Sequence, residues 1–219
     1  MKLAGVLLDV DGTLIDSNPA HARAWVEALT EFGYAATVDQ MIRLIGMGGD
    51  KIIPKVTGLE PESEQAKELT ARRMEIFSKK YLPTLRAFPG AHELIGRFTQ
   101  DGLRTVVATS ANSNELNALL EQTGLDELID RKTSSSDADR SKPDPDIIAA
   151  ALERGHLARE RVLMVGDTPY DVEAARRARI RAIALRCGGW NDDALSGALA
   201  IYDDPRALLV AYERSPFRR

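Results

Sequence analysis

The chain has 219 residues, with 29 Lys plus Arg against 33 Asp plus Glu and a formal net charge of −4. At 44% hydrophobic and 28% charged residues it is too apolar for a disordered chain and long enough for one globular unit or a core with an insert. The acidic balance gives no general electrostatic reason to bind nucleic acid or an anionic membrane, and a single cysteine, Cys187, excludes an internal disulfide and any multi-cysteine metal site.

Residues 3–8 form an apolar run that stops at Asp9 with no small-residue cleavage site behind it, which predicts a buried strand rather than a signal sequence. No stretch approaches the roughly 20 apolar residues of a membrane span. From Ser17 to Leu85 the pattern is helix after helix. Residues 21–32 put Ala24, Trp25, Ala28, Leu29 and Phe32 on one face, so Trp25 reads as core. Residues 62–81 form a long amphipathic run on which Arg72, Arg73, Lys79 and Lys80 read as a solvated face, with the alternative that an arginine of this helical segment steers an anionic substrate. Pro83 and Pro89 punctuate its exit. Helices then alternate with short apolar runs: helix 91–101, strand 105–108, helix 113–123, a weaker strand within 128–133, helix 145–154, strand 161–165, helix 171–178, strand 181–185 and a weak strand 198–202. Such alternation predicts an α/β fold, a Rossmann-like parallel sheet with helices on its faces, and a small α-helical insert. The expected division is a core of residues 1–16 and 86–219 and a helical domain of residues 17–85.

In an open parallel sheet, ligands bind beyond the carboxyl ends of the strands. Those positions hold Asp9-Val10-Asp11-Gly12-Thr13, then Thr109-Ser110, then Gly166-Asp167, with Lys142 in the turn-rich Ser141-Lys142-Pro143-Asp144-Pro145. Several acids gathered at one point call for a cation, and oxygen ligands favour a hard ion such as Mg²⁺. Taken singly the signals are weak: Asp-Gly is common turn chemistry, and Asp171 alone reads as a helix cap. Asp144 and Asp146 read as turn and helix-start residues, His92 and His156 have no motif around them, and Cys187 reads as a small, partly buried side chain in a reducing compartment.

The ordered set Asp9-Val10-Asp11-Gly12-Thr13-Leu14, Thr109, Lys142 and Gly166-Asp167-Thr168-Pro169-Tyr170-Asp171 resembles the haloacid dehalogenase-like superfamily, in its phosphatase branch with a small helical cap after the first motif. The resemblance implies that Asp9 is the nucleophile, passing through an aspartyl-phosphate, and that Asp11 is the general acid and base. It implies Mg²⁺ on Asp9, the Asp11 backbone carbonyl and Asp167, with Asp171 as a ligand or a support. Thr109, Ser110 and Lys142 would bind the phosphoryl oxygens, with Gly12 permitting the tight turn beside them. His21, in a segment similar to the cap entrance of β-phosphoglucomutases, would contact substrate or couple the cap to Asp11. The implied substrate is a small phosphorylated metabolite such as phosphoglycolate or a sugar phosphate. The implied protein is a cytoplasmic monomer or weak homodimer that binds neither nucleic acid nor membrane.

Three other readings lie close by. A sugar phosphomutase fits the cap entrance, but its anchoring arginine belongs where this chain has Gly48-Gly49. A phosphonate hydrolase would use Lys51 as a Schiff base, yet Asp11 speaks for phosphate esters because such hydrolases lack an acid there. A non-catalytic binding protein would be expected to have lost a motif, and none is missing. The glycine-rich turn at Gly46–Gly49 is no dinucleotide fingerprint, because no strand precedes it.

Overall fold

In a computed structural model, which describes residues 2–218, the first apolar run forms β1 (Gly5–Leu8), all four residues buried. The sheet it centres continues with β2 (Arg104–Ala108), β3 (Arg131–Thr133), β4 (Val162–Gly166), β5 (Arg181–Leu185) and β6 (Ala200–Tyr202). The order is β3-β2-β1-β4-β5-β6 and every pairing is parallel. β1 therefore lies between the two strands, β2 and β4, whose ends carry the other motifs. The weak run at 198–202 contributes only three half-buried residues to an edge strand, and the run within 128–133 only the last three.

Alternation along β1 sorts the core onto two faces. Val6 and Leu8 point into one apolar cluster and Leu7 into the other. The first face is covered by α5 (Ala91–Gln100), through Leu94, Ile95 and Phe98, and by α6 (Ser113–Thr123), through Leu116, Leu119 and Leu120. The second is covered by α7 (Asp146–Gly155) and α8 (Pro169–Arg177), which bring Ile147, Ile148 and Ala151, and Val172, Ala174 and Ala175. A short α9 (Pro205–Val210) adds Leu208 to the first face.

Between β1 and α5 the chain makes four helices, α1 (Asn18–Glu31), α2 (Val38–Ile42), α3 (Gly49–Thr57) and α4 (Glu64–Ile76). Three of the four starts carry a signal, whereas α3 begins after Gly48 with no side-chain cap. Pro19 stands in the first turn of α1, Thr37 and Gln40 cap α2 reciprocally, and the Ser63 side chain accepts from the Ala66 N–H. Trp25 is buried, as its helix face predicts. The run expected over 62–81 divides in two, because α4 ends at Ile76 and widens into a π-helical turn, Phe77–Tyr81, before Pro83. The helical segment is entered and left by paired backbone. The Asp16 N–H donates to the Arg86 carbonyl at 3.1 Å, and the Phe88 N–H to the Leu14 carbonyl at 2.8 Å. Among the described residues, no helix is long and apolar enough to cross a membrane.

Candidate active site

The Asp9 N–H still belongs to the sheet, donating to the Val165 carbonyl at 2.9 Å. Past it the chain folds back on one carbonyl: the N–H groups of Thr13, Leu14 and Ile15 all donate to Val10 O at 2.9–3.2 Å. Gly12 makes this possible with φ +77°. A Cβ there would sit 2.1 Å from Asn18 Nδ2 and 2.3 Å from Asp167 Oδ2. Gly12→Ala is therefore expected to lose at least about 1 kcal/mol of stability, read from urea unfolding, since both the conformation and the space are refused.

The turn and the start of α1 each present one polar side chain toward the end of β4. Thr13 Oγ1 donates to Asp167 Oδ1 at 2.6 Å, and Asn18 Nδ2 donates to Asp167 Oδ2 at 3.0 Å. Gly188 closes in from the other side, where a Cβ would lie 1.8 Å from Asp167 Oδ2. Lys142 reaches the same place fully buried, donating to Asp9 Oδ1 at 2.6 Å and to Asp171 Oδ1 at 2.7 Å. Asp171 spends its other oxygen on the Thr168 N–H and hydroxyl at the start of α8, so it is held as the anchor of Lys142. Helix capping and site construction thus fall on one residue.

Asp9, Asp167 and Asp171 are all buried, and an oxygen of each lies within 4.8 Å of the others. Burial, with Asp171 and Asp11 adding to it against the opposing pull of Lys142, pushes Asp9 up to about 7. Burial first and then the charges of Asp171 and Asp9 hold Asp167 well above the ordinary carboxylate range. Burial alone would depress Lys142, but Asp171 and Asp9 keep it above its ordinary value. Three buried carboxylates facing one ammonium leave negative charge uncompensated, and an all-oxygen donor set suits a hard divalent cation. Asp9 and Asp167 have the placement to hold one, with Asp171 behind them. The Asp11 carboxylate is not in this cluster.

Asp11 instead faces the helical segment. Its Oδ1 accepts from the Ser17 hydroxyl at 2.5 Å and meets His21 Nε2 at 2.7 Å. His21 is buried and stacked on Phe77, with ring centroids 4.1 Å apart at 9°. Its Nδ1 receives Arg73 Nη2 at 3.4 Å, which places the ring hydrogen on Nε2, toward Asp11. Burial would raise the Asp11 carboxyl, yet His21, Ser17 and Arg73 together hold it below the ordinary range.

Asp9, Asp11, His21 and Thr109 line a cavity of about 190 Å³, while Lys142, Asp167 and Asp171 lie behind its lining. Thr109 follows β2 and is buried; its Oγ1 accepts from the Ala111 N–H at 3.1 Å. Ser110 also lines the cavity but gives its hydroxyl proton to the Gly46 carbonyl at 2.9 Å, joining the two parts of the molecule. Lys51 is absent from the lining; it pairs with Asp144 at 2.9 Å and Asp50 at 3.2 Å. Cys187 is half-buried and donates to the Gly12 carbonyl at 3.1 Å, its thiol pushed up chiefly by burial.

One expectation is overturned. Arg73 is not on the solvated face with Arg72; its side chain is 11% exposed, lines the cavity, and pairs with Glu115. It shares a helix face with the buried Leu69 and Ile76, four residues before and three after, so the helical period held the signal. Thr13, Ser17 and Asn18 were also not singled out. They lie inside or next to the first motif, whereas Glu115 carries no sequence mark.

The family model for haloacid dehalogenase-like hydrolases matches residues 6–185. A phosphoglycolate phosphatase of Rhodospirillum rubrum is 30% identical over 212 residues, covering 93% of this chain and 88% of its own. A hydrolase from Pseudomonas syringae superposes with a TM-score of 0.90 at 29% identity, covering 96% of this chain and 98% of that one. A candidate β-phosphoglucomutase from Bacteroides vulgatus does so with a TM-score of 0.89 at 25% identity, covering 100% and 91%. A motif set, a sheet order and a family match extending over most of the same residues agree: this chain belongs to the haloacid dehalogenase-like hydrolases, and it is a phosphatase.

Proposed function

We propose that the protein hydrolyses a small phosphorylated metabolite with Mg²⁺ through an aspartyl-phosphate on Asp9. The observation that carries this reading is the buried Asp9 carboxylate at the end of β1, held 2.6 Å from Lys142, next to Asp167 and on the wall of a cavity. Asp9 Oδ would attack phosphorus, and the bond from phosphorus to the ester oxygen would break. Asp11 would give that oxygen its proton and later take one from the water that releases phosphate. Lys142 and Thr109 would bind the phosphoryl oxygens where charge accumulates. Mg²⁺, held by Asp9, Asp167 and the Asp11 backbone carbonyl, with Asp171 supporting, would screen the phosphate charge that otherwise repels an anionic nucleophile. Gly12 would keep the turn clear of Asp167, and Ser110 would tie the cap to the phosphate loop.

In this reading residues 1–16 and 86–219 are the core and 17–85 the cap, a division supported by the backbone pairing at Asp16 and Arg86. His21 would act as a positioning residue for Asp11. His21→Phe keeps the stack but removes the Nε2 hydrogen bond, so the limb of the kcat/KM pH profile governed by Asp11 should move to higher pH and kcat should fall about tenfold. An unshifted limb would remove that role.

The test of the reaction is turnover of p-nitrophenyl phosphate, lost on chelation and restored by Mg²⁺. Activity indifferent to chelation would overturn the metal assignment. Incubation with β-glucose 1-phosphate and a bisphosphate primer separates hydrolysis from mutase chemistry, since free phosphate supports the first and glucose 6-phosphate the second.

A further inference from the structure

The wall of the cavity holds a charge pair built from both parts of the molecule. Arg73, from α4, forms a two-pronged contact with Glu115, from the first turn of α6; Nη1 bonds Oε2, and Nη2 lies 3.4 Å from Oε1. The two side chains are 11% and 7% exposed, so water screens neither well. The guanidinium also lies over Trp25 and Phe77, 5.2 and 5.5 Å from their ring centroids, which fixes it against a flat apolar support. Glu115 is fixed from the other side: its N–H is capped by Asn112 Oδ1 at 3.0 Å, and its carboxylate lies at the positive end of α6.

Position tells which part of a substrate this pair meets. Asp11 serves the leaving oxygen, His21 stands behind Asp11, and Arg73 touches the far nitrogen of His21. The pair therefore borders the space beyond the ester oxygen. Among the described residues that line the cavity, Arg73 is the only Arg or Lys, and His21 is committed to Asp11. A leaving group carrying a carboxylate or a second phosphate would find one cation there, already neutralised, and would approach the carboxylates of Glu115 and Asp11. Like charges in a poorly screened site are costly, whereas hydroxyls can accept from the guanidinium and donate to Glu115 together. The remaining wall is largely apolar, with Trp25, Met47, Ile52 and Met74, and suits the carbon face of a polyol. At about 190 Å³ the space is below the roughly 300–1,000 Å³ of drug-sized sites, in keeping with a small ester.

We propose that the Arg73–Glu115 pair is a specificity device that selects phosphate monoesters of uncharged, hydroxyl-bearing leaving groups, of the sugar or polyol class, over esters whose leaving group is anionic. The inference rests on the phosphatase reading and narrows its substrate. Glu115 acts here as a filter and takes no part in proton transfer.

The experiment compares two esters of equal length, hydroxyethyl phosphate and phosphoglycolate, which differ in one terminal charge, with p-nitrophenyl phosphate as the reference for phosphoryl chemistry. The wild-type protein should favour hydroxyethyl phosphate in kcat/KM by about tenfold or more, a comparison that needs no variant. Glu115→Gln retains an acceptor for Arg73 but frees its charge, and should move the ratio about tenfold or more toward phosphoglycolate. Arg73→Gln should not move it in that direction. Wild-type preference for phosphoglycolate, or a ratio unmoved by Glu115→Gln, overturns the filter while p-nitrophenyl phosphate turnover leaves the phosphatase reading standing. Absence of turnover on all three esters would remove that reading and the filter with it.

Discussion

Asp9→Asn is expected to abolish turnover, by at least about a thousandfold, while raising the unfolding midpoint of the protein measured with metal chelated. The two effects share one cause. Asp9 is buried among Asp171, Asp11 and Asp167, and only Lys142 offsets that environment, so its carboxyl is pushed from 3.8 up to about 7. Between those values the folded protein binds more protons than the unfolded chain, and stability must fall as pH rises through that window. Asn has no charge to desolvate and escapes this loss. Wild-type protein in chelator should therefore lose stability from about pH 4 to about pH 7 by a step that Asp9→Asn lacks, and added Mg²⁺ should restore much of it. Equal midpoints for the two proteins across that range would contradict the picture of a nucleophile held at the expense of stability.

Lys142→Met acts in the opposite sense on stability. Lys142 is fully buried and bridges Asp9 and Asp171, so removing its ammonium leaves two buried carboxylates without their counter-charge. Breaking a buried pair in this way costs roughly 3–5 kcal/mol, and turnover should fall at least about a thousandfold because the phosphoryl oxygens lose their cation. Combining Lys142→Met with Asp171→Asn relieves one stranded charge and should recover part of the stability with none of the activity. Urea unfolding of the three variants reads the result. A single variant within about 1 kcal/mol of wild type would show that the lysine is not the counter-charge of this cluster.

What could be read before the fold was known follows from how local each signal is. Strands β1, β2, β4 and β5 are buried apart from the arginines that open β2 and β5 and appear as mostly apolar runs, so their existence and the residues beyond their ends were legible. Edge strands β3 and β6 have three residues each and mixed exposure, which left their limits blurred. In the candidate site, Asp9, Asp11, Thr109, Lys142, Asp167 and Asp171 were marked by motifs because each lies at a strand end, turn or helix start that the proposed chemistry would use. Glu115 was not, because nothing around it in the sequence sets it apart, and Arg73 was marked only by the helical period it shares with Leu69 and Ile76. The run Arg72-Arg73 shows the difference: Arg72 pairs at the surface with Glu31 at 2.6 Å, and its neighbour turns inward.

The strand order also bears on how the chain comes to be folded. β1 precedes the other five strands in the chain, yet it pairs on one edge with β2 and on the other with β4. During synthesis its four apolar residues wait for Arg104–Ala108 on one side and for Val162–Gly166 on the other. Asp9 and Asp167 cannot meet until that second edge closes, so the buried acidic cluster is assembled late, by the longest-range contacts in the sheet, and such contacts are slow to form. Until then the strand is an unpaired apolar edge of the kind that other chains can capture. The arrangement that places Asp9 at the end of an inner strand leaves that strand exposed to misassembly while the chain is incomplete.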